Sequence, residues 1–165
     1  MKTNEILAEV DKLRVFYKLK TEIRYGLKRN EVIDTESVAE HVFGMFIIAN
    51  YFLPKENPDL DWDRTKIYDM ILYHDIDKIE TGEIIGYLKT TEHKNVEIGV
   101  LKKVLGLLPT SLKETVNDAL DEYSNQHNPE AKFVKAVDKF EPLLQKWKLE
   151  VILRINLALI IFILH

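Results

Sequence analysis

Apolar residues recur along this chain at intervals of three and four, the period of a helix that buries one face. From about Asn4 to Leu19 the stripe is Leu7, Val10, Leu13 and Phe16. A polar stretch from Lys28 to Asp34 follows, and then Thr35 and Ser37, both good helix caps. Ser37 and Glu40 have the spacing of a capping box. The helix they start is expected to run to about Leu53. From Val42 onward it is apolar almost all round, which predicts a central, buried helix. Pro54 and Pro58 close it, and Asp63 caps the next, which runs to about Asp75 with Ile67, Met70, Ile71 and His74 on one face. After a loop with Gly82 and Gly86, helices are expected over about Thr90 to Leu105, from Pro109 to near Asn125, and from Pro129 to Trp147. In the last of these Phe133, Ala136, Val137, Phe140, Leu144 and Trp147 point inward. Pro142 lacks the N–H that would bond the carbonyl of Asp138, so the helix is expected to bend or end there.

The segment Leu149 to Leu164 is strongly apolar, broken by Glu150, Arg154 and Asn156. It is shorter than the roughly 20 residues that span a bilayer. It predicts a buried or dimer-forming helix, with a truncated terminus or a membrane anchor as alternatives. Seven helical segments with short connections predict a compact all-α bundle.

Composition supports this picture. Only six Gly and five Pro interrupt 165 residues, and strand-type alternation is hard to find. One domain fits the length better than two. The formal charge of −4 argues against a nucleic-acid binder, which would carry a basic face. A small anionic substrate remains compatible with it, since a metal and an arginine supply positive charge locally. The absence of cysteine excludes disulfides, thiolate–zinc sites and a Cys nucleophile. The opening MKTNEILAEV holds acidic groups and no apolar run, unlike a secretory signal. Cytoplasmic residence is the expectation.

Four polar residues sit where apolar ones are expected. His41 shares a helix face with Val38, Met45 and Phe52, and His74 continues the Ile67–Ile71 stripe. Asp75 follows at the end of that helix, and Asp138 lies beside inward-facing Val137. Taken singly, an inward histidine is more often a satisfied core residue than a ligand, Asp75 reads as a helix-end acid and Asp138 as a surface charge. Taken together, two imidazoles and two carboxylates brought from three helices to one point would make their burial tolerable by sharing a divalent cation. The donor set suits Mn, Co, Fe, Ni or Zn and also permits Mg.

The pattern H…HD…D formed by His41, His74–Asp75 and Asp138 resembles the HD-domain superfamily, most closely its 5′-deoxynucleotidase branch. The matching pieces are Arg24–Tyr25, ESVAEH (Glu36–His41), YHDIDKIETGE (Tyr73–Glu83), EHKNVE (Glu92–Glu97), DEY (Asp121–Tyr123) and EAKFVKAVDKFEP (Glu130–Pro142). They extend over roughly Glu22 to Trp147 in family order, within one HD domain spanning 1–165. The resemblance implies an HD-type bundle of about six to seven helices and a homodimer. It also implies one divalent metal on His41, His74, Asp75 and Asp138, a small phosphorylated substrate, and Arg24 on its phosphate. Tyr25 stands where that branch commonly has Trp. Two positions depart from the branch: Lys78 replaces the Glu of HDxxE, and Glu83 stands where Asp is usual. Other HD phosphohydrolases carry HDxxK, with the Lys on phosphate. Asp77 is a spare carboxylate beside it.

These features imply hydrolysis of a nucleoside 5′-monophosphate by a metal-activated water, with Arg24, Lys78 and Glu83 in the catalytic group and Tyr25, Lys78 and Glu122 at the substrate. Lys78 could equally pair with a nearby acid, Glu83 could face solvent, and Arg24 without the resemblance reads as a surface residue. His93 and His127 read as surface and loop. Hydrolysis of another phosphate ester, cyclic or hyperphosphorylated, is the alternative that Lys78 favours. A non-catalytic module with a structural metal is the third possibility.

Overall fold

The computed structural model describes residues 3–24, 35–82 and 91–146. Among them every regular element is helical, apart from one isolated antiparallel bridge between Ile23 and Ser37. They group into two compact units, one drawn from Met1–Glu40 and Tyr73–Leu120, the other from His41–Leu72 and Asp121–His165.

In the first unit α1 (Thr3–Lys12) tightens into a 3-10 helix over Leu13–Lys20, where the sequence predicts one continuous helix. The predicted stripe is not a core face. Leu7, Val10 and Leu13 are exposed, and only Leu19 at the far end is buried. The chain then extends. Arg24 N–H donates to the Glu36 carbonyl (2.9 Å) and Val38 N–H to that of Glu22 (2.9 Å), tying residues 22–24 to the start of α2 (Val38–Phe52). The capping box forms as the spacing predicts. Ser37 N–H donates to Glu40 Oε2 (2.6 Å), and Glu40 N–H donates to Ser37 Oγ (3.2 Å). Ser37→Ala removes the hydroxyl that accepts from Glu40 N–H and leaves the bond from the residue 37 N–H to Glu40 in place. It is expected to cost about 1 kcal/mol, or roughly 2–4 °C in Tm. An unchanged melting temperature would contradict that reading.

A single helical turn, α4 (Lys78–Thr81), occupies part of the predicted glycine loop. It ends on Gly82 at φ 65°, a conformation that favours glycine. Glu80 on this turn pairs with Lys103 of α5 (Thr91–Leu107) and with Lys18 (3.4 Å). Lys103, then Lys18, hold its carboxyl below the usual range. The stability this contributes is present above the ordinary Glu pKa and is lost as pH falls through the lowered one. Val104 and Leu108, with Val116, Ala119 and Leu120 of α6 (Lys113–Asn125), supply buried apolar residues.

In the second unit Asp63 caps α3 (Arg64–Tyr73), accepting from Lys66 N–H at 3.1 Å, and Asn128 caps α7 (Pro129–Lys146), accepting from Ala131 N–H at 2.7 Å. Phe52 meets Phe140 edge-on with centroids 5.7 Å apart, and Trp62 lies against Phe133 at 5.7 Å. Val42, Met45, Ile48, Ala49, Ile67, Met70, Val134 and Val137 are buried. The expectation that α2 is buried all round is corrected: Phe43, Ile47 and Tyr51, one turn apart, are 68%, 58% and 60% exposed. Leu144 is also exposed. Pro142 does not end α7, which continues to Lys146. Val137 and Glu141 on this helix are buried, and such packing offsets the one N–H that Pro142 lacks. No helix among the described residues is long and apolar enough to cross a membrane. Trp147 and the apolar segment from Leu149 to Leu164 lie outside the described residues.

Candidate metal centre

His41 sits on the buried face of α2 with its side chain fully enclosed. Both ring nitrogens meet carboxylates of α7. Nε2 is 3.3 Å from Asp138 Oδ1, and Nδ1 is 2.7 Å from Glu141 Oε2. Asp138 and Glu141 are three residues apart, which puts them on one face of their helix. The other oxygen of Asp138 accepts from the Tyr123 hydroxyl (2.7 Å) and from Lys135 Nζ (3.2 Å). Lys135 also donates to the Tyr123 oxygen (2.5 Å), closing a triangle that fixes the Asp138 carboxylate.

In the first unit His74 and Asp75 lie in the turn that follows α3. His74 is buried, and its Nε2 is 3.5 Å from Asp75 Oδ2. The same oxygen accepts from Arg24 Nη1 at 3.3 Å. Arg24 is only 8% exposed, so its alternative as a surface arginine falls. Its Nε is 3.1 Å from Glu36 Oε1, itself buried. The bridge that ties residues 22–24 to 36–38 is what places this guanidinium. Lys78, opening α4, is buried as well.

Glu122 accepts from Lys66 Nζ (2.8 Å) and Asn128 Nδ2 (3.3 Å), and the Lys66 ammonium is held above its ordinary pKa chiefly by that carboxylate. His127 is exposed, as a loop residue should be, and Asp77 is half-buried. Tyr25, Glu83 and the side chain of His93 lie outside the described residues. Sequence reasoning assigned no role to Glu36, Tyr123, Lys135 or Glu141. The i, i+3 spacing of Glu141 from Asp138 was the available signal for the last.

The donor chemistry fits a divalent cation. Ligands about 2.1 Å from one ion stand about 3.0 Å apart at a right angle and about 3.4 Å apart at the tetrahedral angle. The pairs His41–Asp138 and His74–Asp75, at 3.3 and 3.5 Å, have that spacing. A neutral imidazole lone pair facing a carboxylate oxygen is repulsive unless a positive charge stands between them.

The family model described as HD domain matches residues 16–151. The 5′-deoxynucleotidase HDDC2 of Xenopus laevis is 31% identical over 141 residues, 84% of this chain and 67% of its own length. Human 5′-deoxynucleotidase HDDC2 is 31% identical over 136 residues, 81% of this chain and 64% of its own. The chain thus spans about two thirds of the length of these curated relatives. Among solved structures, a predicted metal-dependent phosphohydrolase from Magnetospirillum magnetotacticum matches with a TM-score of 0.70 at 24% identity, covering 85% of this chain and 69% of that one. The PH0347 protein of Pyrococcus horikoshii matches with a TM-score of 0.61 at 25% identity, covering 82% and 75%. These two likenesses concern the fold. With the family model spanning most of its residues, the chain belongs to the HD domain family.

Proposed function

We propose that this chain is a metal-dependent phosphohydrolase that releases phosphate from nucleoside 5′-monophosphates, deoxynucleotides above all. In this reading one divalent cation is ligated by His41, His74, Asp75 and Asp138, and 1–165 forms a single HD domain. The observation that carries it is the pairing of an imidazole with a carboxylate at cation-ligand spacing, found twice, with an arginine bonded to one of those carboxylates. The names of the curated relatives supply the substrate class.

A cation bound there supplies Lewis acidity, making a water nucleophilic near neutral pH and offsetting charge on the phosphoryl group. Phosphoryl transfer asks the protein mainly for positioning and electrostatics. Arg24 provides both. Its planar fork matches a phosphate, and exchanging one carboxylate partner for a phosphate oxygen keeps the guanidinium paired. Tyr123 and Lys135 hold Asp138 in place, and Glu36 anchors Arg24 while its other partner is exchanged for the phosphate. Lys78 adds positive charge for the phosphate, Glu83 orients the water, and Tyr25 and Glu122 line the nucleoside. We place the enzyme in the cytoplasm as a homodimer without a nucleic-acid partner, from its lack of cysteine, its net negative charge and its family.

Lys78, in the position of the branch's Glu, favours a second reading: the same centre acting on another phosphate ester. Chromatography of the products formed by cobalt-, manganese- or magnesium-reconstituted protein from a panel of phosphate esters decides between them. The four deoxynucleoside 5′-monophosphates should be turned over. Turnover confined to phosphodiesters and cyclic nucleotides would reject the monophosphate reading.

A further inference from the structure

We infer that Glu141 is the positioning residue of the centre: it fixes the ring and tautomer of His41 so that Nε2 presents its lone pair to the cation. The inference rests on the proposed ligation by His41 and deepens it. A neutral imidazole carries one N–H and one lone pair, and an ionised carboxylate only accepts. The contact from Nδ1 to Glu141 Oε2, at 2.7 Å, is the shorter of the two and takes the N–H, which leaves Nε2, 3.3 Å from Asp138 Oδ1, with its lone pair. This is the carboxylate–histidine–metal relay in which the outer partner sets ring orientation and raises ligand basicity.

Two independent features mark the contact as built rather than incidental. The Glu141 side chain is 9% exposed, and a buried carboxylate needs a compensating partner, which the fully buried His41 ring provides. The second feature is Gly44, three residues beyond His41 and on the same side of α2. A Cβ at Gly44 would stand 2.6 Å from Glu141 Oε1, 3.0 Å from its Cγ and 3.1 Å from its Cδ. Glycine is disfavoured inside a helix because it gains no side-chain packing and loses the most backbone freedom. At this position its absent side chain is the space the Glu141 carboxylate occupies. The two helices thus carry matching three-residue registers, His41 and Gly44 on α2 against Asp138 and Glu141 on α7. One pair faces the cation, and the other seats the carboxylate behind the ring.

The test is cobalt affinity, measured by competition with a chromophoric chelator on full-length wild type, Glu141→Gln, Glu141→Ala, Gly44→Ala and His41→Ala, with circular dichroism on each. Removing such an outer partner typically weakens metal binding about 10–100-fold. Glu141→Ala should show that loss. Glu141→Gln, whose amide oxygen still accepts from Nδ1, should recover most of the affinity. Gly44→Ala should lose cobalt affinity like Glu141→Ala although alanine favours the helix, because the new methyl group displaces the carboxylate. A purely structural ion pair predicts the reverse: a lower apo melting temperature with cobalt affinity untouched. Should Glu141→Ala fail to fold, Gly44→Ala carries the decision. Wild-type cobalt affinity in folded Gly44→Ala or Glu141→Ala overturns the inference, while lost affinity in His41→Ala keeps the ligation itself. Wild-type affinity in His41→Ala overturns the ligation on which the inference rests.

Discussion

Asp75→Ala is expected to purify as a helical protein that retains no stoichiometric cation and releases no phosphate. Asp75 lies in the turn after α3 rather than within its packed face, and its side chain is 17% exposed, so truncation opens no core cavity. Arg24, which donates to Asp75, keeps its ion pair with Glu36 at 3.1 Å. The fold should therefore survive. The centre should not. In the proposed ligation the substitution removes one of two anionic ligands, and with it charge that would hold a divalent ion against water. Outer-partner mutations already cost about 10–100-fold; loss of a ligand should exceed the upper end of that range. Metal content after dialysis, circular dichroism and phosphate release measured on one preparation check this. Full metal occupancy in the variant would show that Asp75 is not a ligand.

Arg24→Ala is expected to damage stability and substrate binding together. A surface arginine would cost little, and that alternative was open from the sequence. The structure buries the guanidinium between Glu36 and Asp75, and Glu36 is 6% exposed. Removing the cation from a buried pair typically costs about 3–5 kcal/mol, because the remaining charge must be desolvated without it. That corresponds to roughly 6–20 °C in Tm for a chain of this size. Below the melting transition, activity at low substrate should fall more than activity at saturation, since the phosphate loses its bidentate partner. Arg24→Lys should restore part of the stability through its charge but little of the phosphate binding, because an ammonium lacks the planar fork. Wild-type melting with wild-type KM in Arg24→Ala would refute both roles.

Local signals in the sequence carried a good deal of this. Helical periodicity located the main helices, and the spacing of Ser37 and Glu40 gave the capping box that starts α2. The stripes Val38–Met45 and Ile67–Ile71 correctly aimed His41 and His74 inward. What periodicity does not carry is the identity of the covering surface. Leu7, Val10, Phe43, Ile47 and Tyr51 have apolar spacing and yet stand exposed among the described residues. Arg24 was illegible as a buried residue because its burial depends on a two-residue bridge between segments that lack strand patterning. Glu141 was missed for a related reason. A carboxylate on a mixed helix reads as surface until the opposing helix shows a histidine and a glycine at the matching register. The one-turn helix at Lys78–Thr81 is too short to leave a periodic trace.

The central claim is that His41, His74, Asp75 and Asp138 share one cation. Anomalous diffraction from crystals grown with manganese addresses it most directly. The account predicts a single strong peak per chain, about 2.0–2.3 Å from an imidazole nitrogen of each histidine and a carboxylate oxygen of each aspartate. No peak at these residues, or one ligated by His74 and Asp75 with His41 and Asp138 remote from it, would contradict the account.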